Sequence, residues 1–203
     1  MLAAVDWDDP DLDAVLQLAE SCDYEVEHSY QVTRLALQLF DELYDLHGLG
    51  GEERFFLQRG ALLHDIGWIE GQSGHHKAAL RIILESPILP FGERERLVTG
   101  SIARYHRKAL PKEKHTHFAA LAPEDQHLVS VLAGVLRVAD GLDRTHRSVV
   151  VDLACRTPPG LIEVTCATHT YAEEERLEAL DKGRLLERVL DRQLIVDWRV
   201  VGQ

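Results

Sequence analysis

Up to about residue 147, apolar positions recur at helical spacing, with polar residues between them. Asp9-Pro10 offers a capped helix start with proline in the first turn. The next predicted helix carries His28, Val32, Leu35, Leu39 and Leu43 on one stripe and stops at Gly48. Glu52 to about Asp65 forms another, closed by Gly67, and further helices are expected from His75 to Glu85, Glu93 to His106 and Glu124 to Asp143. Pro87, Pro90 and Pro111 mark the breaks between them.

After Arg147 the period changes to two. Val149, Val151, Leu153 and Cys155 alternate, Pro158-Pro159-Gly160 turns the chain, and Ile162, Val164 and Cys166 alternate again, which predicts a hairpin. Glu173 to about Asp191 reads as one amphipathic helix with Leu177, Leu180, Leu185 and Val189 inward. A last strand follows, with Leu194, Val196, Trp198 and Val200 on one face. The expected fold is therefore mainly α, a helical bundle over residues 1–147, with a small α+β appendage (ββαβ) over 148–203. About 55 residues are too few to bury a core alone, so the appendage should pack on the bundle. Its hairpin also offers an edge that a second chain would cover, making a homodimer one expectation.

Composition narrows the class. With 45% hydrophobic and 28% charged residues, the chain is ordinary for a globular protein. No apolar run approaches the roughly 20 residues needed to cross a bilayer, and the acidic N-terminus lacks the basic region of a signal peptide. Cys22, Cys155 and Cys166 are odd in number and widely spaced, as expected of idle thiols in the cytoplasm. A net charge of −12 argues against general nucleic-acid binding. Against that background Arg104, Arg107, Lys108, Lys112 and Lys114 crowd around His106. Lys112 and Lys114 fit a solvated stretch, whereas Arg104, Arg107 and Lys108 are candidates for phosphate contacts.

The chemistry concentrates in His64-Asp65, with His28, His75 or His76, His106 and Asp140 around it. Singly, each has a plain alternative: a hydrogen-bonded core histidine for His28 or His106, and an ion pair with Arg137 or Arg144 for Asp140. Jointly, imidazoles and carboxylates on inward strips of successive helices are how bundles gather metal ligands. His75 is favoured over His76 because it puts Ala79, Ile82 and Ile83 on its own face. Asp143, one turn after Asp140, is a candidate to orient a ligand imidazole or the attacking water, with a surface pair to Arg147 as the alternative. His47, His115, His117, His127, His146 and His169 are set aside as loop or exposed residues.

The segments His64-Asp-Ile-Gly67, Ser73-Gly-His-His-Lys77, Arg104-Tyr-His-Arg-Lys108 and Leu136-Arg-Val-Ala-Asp-Gly-Leu-Asp-Arg144 resemble the HD superfamily of metal-dependent phosphohydrolases. More closely, nearly the whole chain resembles the C-terminal region of the exopolyphosphatase/guanosine pentaphosphatase family. The resemblance implies an HD-type bundle in which His28, His64, Asp65 and Asp140 surround one divalent ion. His75 and His106 would lie on a second ion, with Asp65 bridging the two. It departs from the family in two places. These residues include no actin-like domain or glycine-rich phosphate loop, where family members carry their phosphatase site, and Ala78 stands where members often have a further histidine.

The expected activity is metal-dependent hydrolysis of a phosphate monoester or anhydride, of a nucleotide or polyphosphate. Two ions drawn from Mn, Fe, Ni, Co or Mg suit such ligands. Asp65 and Asp143 would serve the attacking water, while Arg104, Arg107 and Lys108 neutralise phosphate charge. The competing expectation is a non-catalytic module that binds polyphosphate or a guanosine alarmone. A two-histidine oxygenase is disfavoured by the cations around His106.

Overall fold

The computed structural model describes residues 5–201. Its helices are α1 (Leu12–Ser21), α2 (Val26–Glu42), α3 (Tyr44–His47), α4 (Gly51–Leu62), α5 (His75–Glu85), α6 (Glu93–Arg104), α7 (Thr116–Ala119) and α8 (Pro123–Gly141). A 3-10 turn, Ile66–Glu70, links α4 to α5. Then come β1 (Val150–Arg156), β2 (Leu161–Thr168), α9 (Glu173–Lys182), α10 (Arg184–Leu190) and β3 (Gln193–Val200). The fold is mainly α with a small three-stranded sheet at its C-terminal end, as the hydrophobic periodicity predicts.

Helix α8 is the central element. Its residues from Leu128 to Gly141 are buried except at Ser130, because α2, α4 and α6 pack on one side and α9 and α10 on the other. One apolar cluster runs from Val32, Leu35 and Leu39 through Val129, Leu132 and Val135 to Leu153, Val164, Leu186 and Val196. The sheet and its helices thus share a core with the bundle. Close approach is possible because Gly141 has no side chain: a Cβ there would lie 2.6 Å from Ala179 Cα. A second cluster joins Val15, Leu18, Leu62, Ile66, Ile83 and Leu89 under the 3-10 turn. Gly67 is required there, since a Cβ would collide with the His75 carbonyl and bar α5 from the turn.

Several expectations are corrected. The first helix starts at Leu12 rather than at Pro10, and Asp9 is instead buried against Arg59. The strand before Arg156 contains a bulge: Val150 pairs with Thr168 and Asp152 with Ala167, leaving Val151 unmatched. The inward residues are therefore Val150 and Leu153, and Val151 is only half-buried. The single predicted helix 173–191 is two helices separated at Gly183, where a Cβ would press on Leu194 and the Ala179 carbonyl. Leu177 is 54% exposed, and Ala179, Leu185 and Leu186 fill the interior. Val200, expected on the buried face, is 56% exposed.

The hairpin edge expected to await a second chain is covered internally. Side chains spaced along α2 satisfy the outer backbone of β1: Gln31 and Arg34 donate to the Val150 carbonyl, Arg34 also to Val151, and Gln38 to Leu153. Glu42 accepts the Cys155 N–H. β3 pairs in parallel with β2, and the strand order is β1-β2-β3. Among the described residues no helix is long and apolar enough to cross a membrane, and Cys22, Cys155 and Cys166 are all free thiols.

Candidate metal centre

Asp65 lies at the meeting point of four chain segments. His64 and Asp65 occupy the turn after α4, His28 the first turn of α2, His75 the start of α5, and His106 the bend after α6. His64 and His106 are therefore just past helix C-termini rather than on inward helix strips. That position gives them a shared device. His64 Nδ1–H donates to the Ala61 carbonyl at 2.7 Å, and His106 Nδ1–H to Ala103 at 2.7 Å. His75 Nδ1–H donates to Gln72 at 3.0 Å, again three residues back. Because a carbonyl only accepts, each bond places a proton on Nδ1, so that in the neutral ring Nε2 carries the lone pair.

Those lone pairs converge. His64 Nε2 lies 3.5 Å and His28 Nε2 4.0 Å from Asp65 Oδ2. On the other oxygen, His75 Nε2 is 3.2 Å and His106 Nε2 3.5 Å from Asp65 Oδ1. The two nitrogens themselves are 3.3 Å apart. His28 Nε2, His64 Nε2 and Asp65 Oδ1 are buried without a hydrogen-bond partner. Two ligand groups of the size a cation needs result, His28/His64/Asp65 and Asp65/His75/His106, each with its donor atoms within 4.8 Å of one another. The donor set is imidazole and carboxylate with no thiolate, and its orphaned buried atoms fit divalent cations.

Asp140 stands beside the first group. Its Oδ1 is 3.7 Å from His28 Nε2, and its Oδ2 accepts from Lys182 Nζ at 2.7 Å. Lys182, and neither Arg137 nor Arg144 of the alternative reading, pairs with this carboxylate. Arg137 instead donates to the Lys182 and Tyr105 carbonyls, and Arg144 reaches Glu178. Asp143 is fully buried and does not pair with Arg147: it accepts from His28 Nδ1–H at 2.8 Å and from the Ser148 N–H at 2.8 Å.

The electrostatics follow from this crowding. Burial alone would raise Asp65, but His64, His75 and His106 hold its carboxyl well below the usual range. Asp140 is likewise lowered despite burial, chiefly by Lys182 and His28. Burial opposes charge on His28, yet Asp140 and Asp143 together raise its pKa from 6.5 to about 10. His106 is the reverse, lowered to about 3 because burial outweighs Asp65.

The cations proposed for phosphate differ in setting. Arg104 is buried, its guanidinium 5.6 Å from the Tyr105 ring. Arg107 donates to His75 Nε2 at 3.3 Å and stands at the rim, and Lys108 is exposed in a left-handed backbone conformation (φ 56°). His76 is buried too, but its ring turns edge-on to His75 and makes no bond to Asp65. Two groups set aside on sequence are in contact with the site region. His146 stacks on His28 with ring centroids 3.7 Å apart and donates from Nδ1 to Glu25 at 2.9 Å. His115 and His117 pack around Tyr105, whose hydroxyl bonds His115 Nδ1 at 2.7 Å. Lys182 and His146 gave no signal at helical spacing, since each reaches the site from a distant element.

A helical scaffold that collects imidazoles and carboxylates at one point is the setting in which the comparison with known proteins falls. The family model described as Ppx/GppA phosphatase, domain III, matches residues 12–183. That span runs from the start of α1 through Gly183, most of the 203 residues, and the chain belongs to this family.

Proposed function

We propose that this chain is an HD-type phosphohydrolase that uses divalent metal to cleave a phosphate monoester or phosphoanhydride of a nucleotide-like substrate. The observation that carries the reading is the convergence on Asp65. The Nε2 atoms of His75 and His106, 3.3 Å apart, face one carboxylate oxygen, while those of His28 and His64 face the other. Electron-rich atoms at these distances repel unless a cation or proton lies among them, and burial keeps His106 from taking the proton.

His28, His64, Asp65 and Asp140 would hold one ion, and Asp65, His75 and His106 a second. Ions of the Mn, Fe, Ni, Co or Mg kind supply Lewis acidity toward phosphoryl oxygens and a nucleophilic water near neutral pH. Asp143 is a positioning residue that fixes the His28 ring through its Nδ1–H. Lys182 holds the second oxygen of Asp140 and so fixes how that carboxylate faces the site. Arg107 and Lys108, at the mouth, neutralise phosphate charge as substrate enters, and Arg104 lies behind them. The helical part to residue 147 carries the site residues except Lys182, which the appendage over 148–203 contributes. The phosphatase description of the family supports action on phosphorylated small molecules.

The test is a panel of nucleotides, polyphosphate and generic phosphate esters, assayed with metal-loaded and chelator-treated protein. Hydrolysis should require metal and disappear in His64→Ala. Failure of metal-loaded protein on the whole panel, with His64→Ala folding normally, overturns the enzyme reading. One observation favours a second reading, a regulatory module that binds polyphosphate or an alarmone: the matched model is the third domain of its family. Protein that binds these anions but takes up no stoichiometric metal would select it.

A further inference from the structure

One exposed aromatic side chain lies directly against the imidazoles of the centre. Trp68 keeps 44% of its surface exposed, yet its indole stacks on the buried His75 ring, with centroids 4.9 Å apart and planes 16° from parallel. His75 in turn stacks on His106 at 5.4 Å and 12°. The three rings form one column, and its two inner members are the imidazoles of the second ligand group. Gly67 makes the contact possible. A Cβ there would collide with the His75 carbonyl and the Ala79 N–H, so only glycine lets the 3-10 turn close on the start of α5. The turn itself is pinned: the Trp68 N–H donates to the Asp65 carbonyl at 3.0 Å, and the Gly71 N–H donates to the Trp68 carbonyl at 2.8 Å. Asp65, common to both ligand groups, therefore stands three residues before the ring that backs His75.

The two halves of the centre are braced differently. On the first side, Asp143 holds the His28 ring through Nδ1, and Asp140 lies 3.7 Å from its Nε2. On the second, Asp65 is the only carboxylate paired with His75 and His106 among the described residues, and the Nδ1–H bonds go to neutral backbone carbonyls. One hydrogen bond fixes a point on an imidazole but not its plane. A stacked indole fixes the plane. Its electron-rich face also attracts a ring made electron-poor, as an imidazole becomes when its Nε2 binds a cation. We infer that Trp68 is a positioning residue for the second ion, holding the planes of His75 and, through it, His106, and favouring the cation-bound ring. This rests on the metal-dependent reading and goes beyond it: an aromatic contact tunes the ion at His75 and His106, and the ion at His28 and His64 is independent of it.

The experiment titrates the chelator-treated full chain with Co(II) by calorimetry, counts bound ions by elemental analysis and follows tryptophan emission. Wild type is compared with Trp68→Leu and Trp68→Phe, each checked by circular dichroism. Wild type should bind two ions, and one of the two binding steps should quench emission. Trp68→Leu keeps apolar cover but has no π face, so it should weaken one ion about tenfold and leave the other within about twofold. Trp68→Phe should restore that affinity to within about threefold of wild type, while the quenching shrinks because the indole is gone. Unchanged affinity for both ions in folded Trp68→Leu overturns the inference and leaves the metal-dependent reading intact. Equal weakening of both ions, or no recovery with phenylalanine, overturns it as well. If Trp68→Leu misfolds, wild type and Trp68→Phe decide: emission that ignores bound Co(II), or quenching equal in the two, overturns it. A wild-type chain that takes up no ion refutes the metal-dependent reading and this inference with it.

Discussion

Two buried polar clusters in this molecule each gather carboxylates and nitrogen bases and end in opposite states. Around Arg59, the Asp9 carboxylate accepts from Nε and NH2, Asp11 lies 2.8 Å from NH2, Glu95 approaches NH1, and Gln58 also donates to Asp9. Every charge there has an opposite, and the Phe91 ring packs 5.0 Å from the guanidinium. Around Asp65, by contrast, imidazole lone pairs and carboxylate oxygens face one another with three of the atoms unpartnered. The first cluster fastens α1 to α4 and needs nothing more. The second leaves buried donor atoms open in an arrangement that could hold a cation, so the degree of pairing separates scaffold from candidate site.

The strongest way to break the contrast is Asp65→Ala. It removes the group common to both ligand sets, so metal content should fall to background and any phosphatase activity by about a hundredfold to a thousandfold or more. Elemental analysis with a hydrolysis assay reads both, and retention of metal would show that Asp65 is not the shared ligand. Arg59→Met should act in the other direction. Leaving Asp9 buried and unpaired costs about 3–5 kcal/mol of folding stability by urea titration, with metal bound per folded molecule unchanged. Asp143→Asn sits between these extremes, because it loosens the His28 ring without removing a ligand. Metal affinity should drop about 10- to 100-fold with near-native stability.

A subtler prediction comes from His28. In ion-free protein its pKa is raised from 6.5 to about 10 by Asp140 and Asp143 against the opposing effect of burial. A ring with a higher pKa in the folded state stabilises the fold fully below pH 6.5 and loses that contribution as pH rises toward 10. A cation on Nε2 displaces the same proton, so metal binding should tighten with pH across this interval and release protons. Titration in weak buffer with a pH indicator measures the release, and pH-independent uptake would place the ion elsewhere. The smallest effect is expected from His146→Ala, which removes a stacked, exposed ring and its surface bond to Glu25. Metal affinity should change by less than about tenfold.

The sequence is most informative where periodicity and burial coincide. The stripe from His28 to Leu43 is legible because its residues, three or four apart, are all buried, and the Gly67 requirement shows as a helix stop even though its cause is the nearby His75 carbonyl. Less was legible where a residue acts across sequence distance. Lys182 reaches Asp140 from 42 positions away, and nothing in the helix that holds it marks one lysine among several exposed charges. The bulge at Val151 shifts which strand residues face inward, and simple alternation cannot register one extra residue. His117 looks exposed in a short loop-like segment because its partner, the Tyr105 ring, comes from a different helix end.

Diffraction data collected across the absorption edges of Mn, Fe, Co and Ni, from crystals of protein loaded with each metal, test the account most directly. It predicts anomalous density within coordinating distance of Asp65, with one peak bounded by His28 and His64 and another by His75 and His106. Fully loaded crystals with no anomalous peak near Asp65, and imidazoles bonded only to protein, would contradict it.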